Sequence, residues 1–126
     1  MLVLGLTLAS CQPQVGVVFD VILPEGVAAT RPLEVVATAT GHLGDVVSPD
    51  RVDVARTERG YVVEVAWFET RVDATIDVWL DRDGDGERGP RDLAGTLGQM
   101  HLTGGGCSGI QRSARDVRLV EIAEAN

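Results

Sequence analysis

Lysine is missing from this chain, and all 11 basic residues are arginine. Asp and Glu number 19, giving a formal net charge of −8 and a pI near 4.6. Such a chain offers no electrostatic footprint to a polyanion, so nucleic acid is not an expected partner. The absence of lysine, with the Ala, Gly, Val and Asp bias, fits a GC-rich coding sequence. Aromatics are only 4% of residues, so the core must be assembled from Val, Leu, Ile and Ala. Valine in quantity favours strands. Histidine and cysteine are scarce, at two each. His42 and His101 are the only imidazole bases, and no spacing ties either to Cys107 as a nucleophile–base pair. No catalytic constellation emerges, and the chain is expected not to be an enzyme. No apolar run approaches the roughly 20 residues that span a bilayer.

What is present is enough for one folded domain. At 126 residues and 44% apolar content, a core is affordable and global disorder is not expected. Periods of two recur along the chain. They predict strands over 15–22, 33–40, 51–56, 61–69, 72–80, 99–103 and 115–123. The fourth of these is apolar on both faces, as a well-covered central strand would be. The charged 51–56 run reads as an edge. The fourth and fifth lie so close that a hairpin is expected. A phase shift at Leu119-Val120 reads as a β-bulge, and the glycine run at 104–109 as a loop. About seven short strands and no credible helix predict an all-β fold, an antiparallel β-sandwich of immunoglobulin-like or transthyretin-like type, over residues 15–126.

One stretch carries chemistry: Asp81-Arg82-Asp83-Gly84-Asp85-Gly86-Glu87-Arg88-Gly89-Pro90-Arg91-Asp92. Alternating aspartates followed by glycine suit a loop that wraps carboxylates around a hard cation. A twelve-residue calcium loop takes oxygen ligands from its first, third, fifth, seventh, ninth and twelfth positions, with glycine sixth for the turn. Here these are Asp81, Asp83, Asp85, Glu87 through its backbone carbonyl, Gly89 through a water, and Asp92, with Gly86 at the turn. Asp92 is one methylene shorter than the usual glutamate, which predicts weaker binding. The competing reading is a solvated acidic turn, neutralised by Arg82, Arg88 and Arg91.

The loop resembles the EF-hand calcium loop over its first half, but its flank does not. Val72 to Leu80 alternates, so a strand and not a helix feeds it. Val78-Trp79-Leu80-Asp81-Arg82-Asp83-Gly84-Asp85-Gly86 is similar to a pattern in the B-type repeats of bacterial cell-wall adhesins and in transthyretin-like or carboxypeptidase-regulatory-like domains. That resemblance implies Ca2+ bound by Asp81, Asp83 and Asp85, and no catalysis. A carbohydrate- or ligand-binding module is the alternative, with Trp67, Trp79 and Tyr61 as stacking candidates.

The first ten residues are apolar and stop at Cys11. They read as the hydrophobic region of a signal peptide over 1–10. Leu8-Ala9-Ser10-Cys11 resembles the lipobox of bacterial lipoproteins, which implies cleavage before Cys11 and lipidation of that residue. Residues 11–14 would then be a tether, the membrane would be engaged through the lipid anchor, and the domain would sit at the bacterial cell envelope. No protein or glycan partner can be read from the residues. Cys107 would be left as a free thiol or an intermolecular bridge. Without lipidation, a disulfide between Cys11 and Cys107 stays open.

Overall fold

The computed structural model describes residues 13–104 and 109–123. Every regular element among them is a strand. One sheet has the order β4 (Arg51–Arg56), β5 (Gly60–Trp67), β1 (Val15–Ile22), β8 (Gly109–Arg112), and β9 (Val117–Arg118) also pairs with β1. The second sheet runs β10 (Val120–Glu121), β7 (Leu93–Thr103), β6 (Arg71–Leu80), β2 (Leu33–Gly41), β3 (Val46–Val47). Seven strands have four or more residues and three have two, so the expected count holds for the longer strands. The two sheets form an all-β sandwich. Pairing is antiparallel except where β8 and β9 run parallel to β1.

The alternation in the sequence becomes the core directly. Val15, Val17, Phe19 and Val21 of β1 are at most 2% exposed, as are Tyr61, Val63, Val65 and Trp67 of β5. They meet Val72, Ala74, Ile76, Val78 and Leu80 of β6, all at most 3% exposed. Each fully buried aliphatic side chain contributes about 1.5–3 kcal/mol. Close packing also fixes one glycine. A Cβ on Gly60 (φ +154°) would lie 2.2 Å from the Val21 carbonyl oxygen of the neighbouring strand.

Four expectations need correction. The runs at 61–69 and 72–80 do not form a hairpin, because β5 and β6 lie in different sheets. Each buries a complete apolar face, and the two faces meet across the core when residues 68–70 carry the chain over. Next, β7 begins at Leu93, not at 99. Its inward residues are Leu93 and Leu97, then Leu102, with Met100 half-buried. An extra residue at Gly98-Gln99 opposite Thr75 breaks the period. That is a β-bulge, and Gln99 sits at φ +43°. Third, the phase shift at Leu119-Val120 is a change of sheet, since Val117–Arg118 pairs with β1 and Val120–Glu121 with β7. Fourth, Gly109–Arg112 is a strand that the glycine run conceals. The edge reading of β4 holds, as all six of its residues are exposed.

Candidate metal centre

β6 and β7 are an antiparallel pair whose last partners are Leu80 and Leu93. The acidic loop is therefore the hairpin tip between two core-anchored strands. Its shape comes from carboxylates that accept backbone N–H groups. Asp81 accepts Gly84 N–H on Oδ1 at 3.0 Å and Gly86 N–H on Oδ2 at 2.7 Å. Asp83 accepts Asp85 N–H at 3.2 Å, and Asp85 accepts Glu87 N–H at 2.9 Å. Gly86, the predicted turn residue, has φ +79°, a region that glycine enters without a Cβ penalty.

Asp92 closes the loop. It is the one buried polar or charged residue among those described, at 0% exposure. Its Oδ1 accepts Arg82 N–H and its Oδ2 accepts Gly89 N–H, both at 2.9 Å. Its backbone is tied as well: Ile122 N–H donates to the Asp92 carbonyl at 2.8 Å, and Arg91 N–H to the Ile122 carbonyl at 3.1 Å. The C-terminal segment is thus laced to the loop base, and the Arg82 guanidinium adds an ion pair to Glu121 at 3.3 Å.

One carboxylate oxygen from each of Asp81, Asp83, Asp85 and Asp92 lies within 4.8 Å of the others. Four of the five sequence-selected residues converge, and the group could hold a metal ion. Glu87 is expected to offer only its backbone carbonyl, and its carboxylate lies outside the group. The shorter Asp92 does reach the cluster, because β7 starts directly after it. No ion pair among the described residues joins an arginine to any of the four. Arg82 turns away to Glu121.

The crowding shows in proton affinities. Desolvation opposes ionisation of Asp81, but N–H donation from Gly86, Gly84 and Asp85 and a proton shared with Asp83 hold its carboxyl below the usual range. The same shared proton is the largest influence on Asp83, whose carboxyl is pushed above that range. A cation would take the place of that proton. Oxygen-only donors are the chemistry of hard cations.

Sequence reasoning missed Arg31. Its guanidinium lies over the loop, 2.9 Å from where a Cβ on Gly84 would be, and its carbonyl accepts the buried Tyr61 hydroxyl at 2.5 Å. Nothing in the irregular 24–32 segment signals this contact. The aromatic platform is not assembled. Trp67 and Tyr61 are 0% and 1% exposed in the core, so of the three stacking candidates only half-buried Trp79 reaches the outer face. Cys11 and Cys107, with residues 1–12, lie outside the described residues.

No family model matches the chain, and searches of curated proteins and of solved structures give no significant match.

Proposed function

We propose that this chain is a non-catalytic β-sandwich domain of the bacterial cell envelope, stiffened by Ca2+ in the β6–β7 hairpin loop and tethered by lipid on Cys11. The observation that supports the metal reading is the convergence of four aspartates with no arginine ion-paired to them among the described residues. The ligands are Asp81, Asp83, Asp85 and Asp92, with the Glu87 carbonyl and water completing the shell. Calcium suits the loop better than magnesium, which demands near-ideal octahedral geometry and keeps its waters. The cation neutralises the loop and locks the start of β7 against the end of β6. The envelope assignment rests on the apolar first ten residues and on Leu8-Ala9-Ser10-Cys11.

Thermal unfolding of the full chain in calcium against chelator tests the metal reading. Ligand linkage predicts about 2.7 kcal/mol of added stability at a hundred times the dissociation constant. Superimposable melts would end the proposal. Mass spectrometry of the membrane-extracted protein tests the anchor independently, and an unmodified Cys11 would remove it.

A further inference from the structure

We propose that the open edge of β4 is an interface for a second copy of this chain, which pairs with it antiparallel about a two-fold axis at Asp53. β4 ends its sheet, so among the described residues no strand lies beyond it. The register fixes which backbone groups are left free. Thr57 and Gly60 exchange both main-chain hydrogen bonds, at 3.0 and 3.4 Å. Bonded and non-bonded pairs alternate along an antiparallel ladder, so Arg51, Asp53 and Ala55 turn their N–H and carbonyl groups to β5. The same groups of Val52 and Val54 turn to the open side. Such a row is a template for another chain.

The side chains of this edge are not those of a guarded one. Val52 and Val54 sit opposite Val65 and Val63 of β5, which are core residues at 0% exposure. Residues directly opposite share a face, so both valines point the way the core does. They are nevertheless 42% and 39% exposed. The apolar inner face of the first sheet therefore runs out past the cover that the second sheet provides. Edges are commonly blunted by brevity, by proline or by inward charges. β4 has six residues and no proline. Its one inward charge is Arg56, opposite Tyr61 at the far end.

An axis at Asp53 sets Val52 opposite Val54 of the second copy, and Val54 opposite Val52 of the second copy. Both pairs are of the bonded kind, so about four backbone hydrogen bonds form, and the inward valines of both copies gather in one cluster. Farther out, the register brings Asp50 opposite Arg56 of the second copy, and symmetry repeats the pair at the other end. On the outer face Asp53 meets its own symmetry mate. Each is already ion-paired to its own Arg51 at 3.4 Å, and Arg51 of the second copy lies on the diagonal, within reach of a long side chain. An axis at Val52 would set Val54 opposite Asp50, and an axis at Val54 would set Val52 opposite Arg56. Either breaks up the valine cluster.

Charge complementarity selects a second copy as the occupant. Residues 50–56 carry two aspartates and two arginines, in a chain of net charge −8. Pairing here brings neutral surface to neutral surface, where most other contacts between copies would press acid on acid. Antiparallel self-pairing also matches Asp50 with Arg56 at both ends without a residue from any other protein. One strand pair is small beside the roughly 1,200–2,000 Å2 of a stable interface, so the dimer is expected to form and dissociate with concentration.

The test is sedimentation velocity of the full chain over a concentration series in chelator, with Cys11→Ser and Cys107→Ser so that neither lipid, disulfide nor metal joins two copies. A monomer–dimer transition should appear. Val54→Pro should abolish it, because it deletes a donor that only the second copy uses and proline is tolerated on the solvent side of an edge strand. Arg56→Glu sets like charges opposite at both ends and should weaken the dimer more than about tenfold. Asp53→Asn removes the like-charge contact at the axis and should tighten it about two- to fivefold. In the parent, amide exchange at Val52 and Val54 should slow as concentration rises. Unchanged melting temperatures of the dilute variants would attribute their losses to the interface. A monomer at every concentration, a dimer indifferent to Val54→Pro and Arg56→Glu, or a dimer weakened by Asp53→Asn would each overturn the inference. None of these outcomes bears on the calcium reading.

Discussion

The two ends of β6 present polar side chains held by opposite means. Beyond Leu80, the carboxylates are wired to the backbone: Asp81, Asp83, Asp85 and Asp92 all accept main-chain N–H groups within the loop. At the start of the strand, Asp73 and His101 are held only by each other, and both side chains are more than 60% exposed. Backbone wiring fixes the carboxylate positions without any cation. Side-chain pairing on an open face fixes one orientation and leaves the remainder to rotamers. Truncating a loop carboxylate that accepts main-chain N–H groups should therefore cost stability with or without metal, and the open face should tolerate truncation well.

The largest expected effect is a direct contrast of two aspartates. Asp92→Ala strands the Arg82 and Gly89 N–H groups. Each unsatisfied donor costs about 1–3 kcal/mol when buried, and these two are only part-buried, so roughly 2–4 kcal/mol is expected in chelator. Asp73→Ala loses one exposed pair, which is worth about 0–1 kcal/mol. Urea denaturation of both variants without metal measures the difference. Equal losses would break the comparison, because Asp92 would then be no more than another surface acid.

Asp83→Asn sharpens the contrast between metal-free stability and metal binding. The Asp83 carboxyl is held above its usual range, so its contribution is present at low pH and fades as pH rises through the raised value. Asp81 runs the other way, its contribution being present above the usual carboxylate range and lost as pH falls through the depressed value. At neutral pH the metal-free loop therefore bears a repulsion at Asp83 that asparagine removes. Asp83→Asn should melt higher than the parent in chelator, and the order should reverse in calcium. Calcium affinity of the parent should fall as pH drops into the range where Asp83 takes up its proton. A lower melting temperature for Asp83→Asn in chelator would show that Asp83 serves the fold first.

The sequence was legible where one side-chain period maps to one face. Ala74, Ile76, Val78 and Leu80 are all buried as their spacing requires, and the 81–92 stretch bridges two strands as read. It was illegible where the chain changes partner without changing composition. Nothing in Phe68-Glu69-Thr70 separates a sheet crossing from a hairpin turn, because both need a short polar bend. Leu119 looks like a bulge in sequence because an inward residue followed by an outward apolar one arises equally from changing sheets. Val120 is 65% exposed on the far side of that change. The true bulge hid in Gly98-Gln99, where a glycine weakens the period that would have exposed the extra residue. In the loop, the ligand types could be read from sequence. Burial of Asp92 could not, because it depends on the C-terminal segment folding back to Ile122.

The smallest expected effect concerns the same closure. Arg91 adopts φ +74°, a left-handed conformation that crowds a Cβ against the backbone by roughly 1–2 kcal/mol. Its N–H and carbonyl are engaged, to the Ile122 carbonyl and from the Arg82 guanidinium, and glycine would keep both. Against this relief, glycine widens the unfolded ensemble by about 0.4–1 kcal/mol. Arg91→Gly should therefore raise stability by roughly 0.5 kcal/mol and leave the calcium-induced shift in melting temperature unchanged. Arg91→Val should lower stability, since a branched Cβ fits that region worst. If Arg91→Gly instead abolished the calcium response, the arginine side chain would be shaping the site. The neutralisation of this loop would then be shared between a metal and its own basic residues.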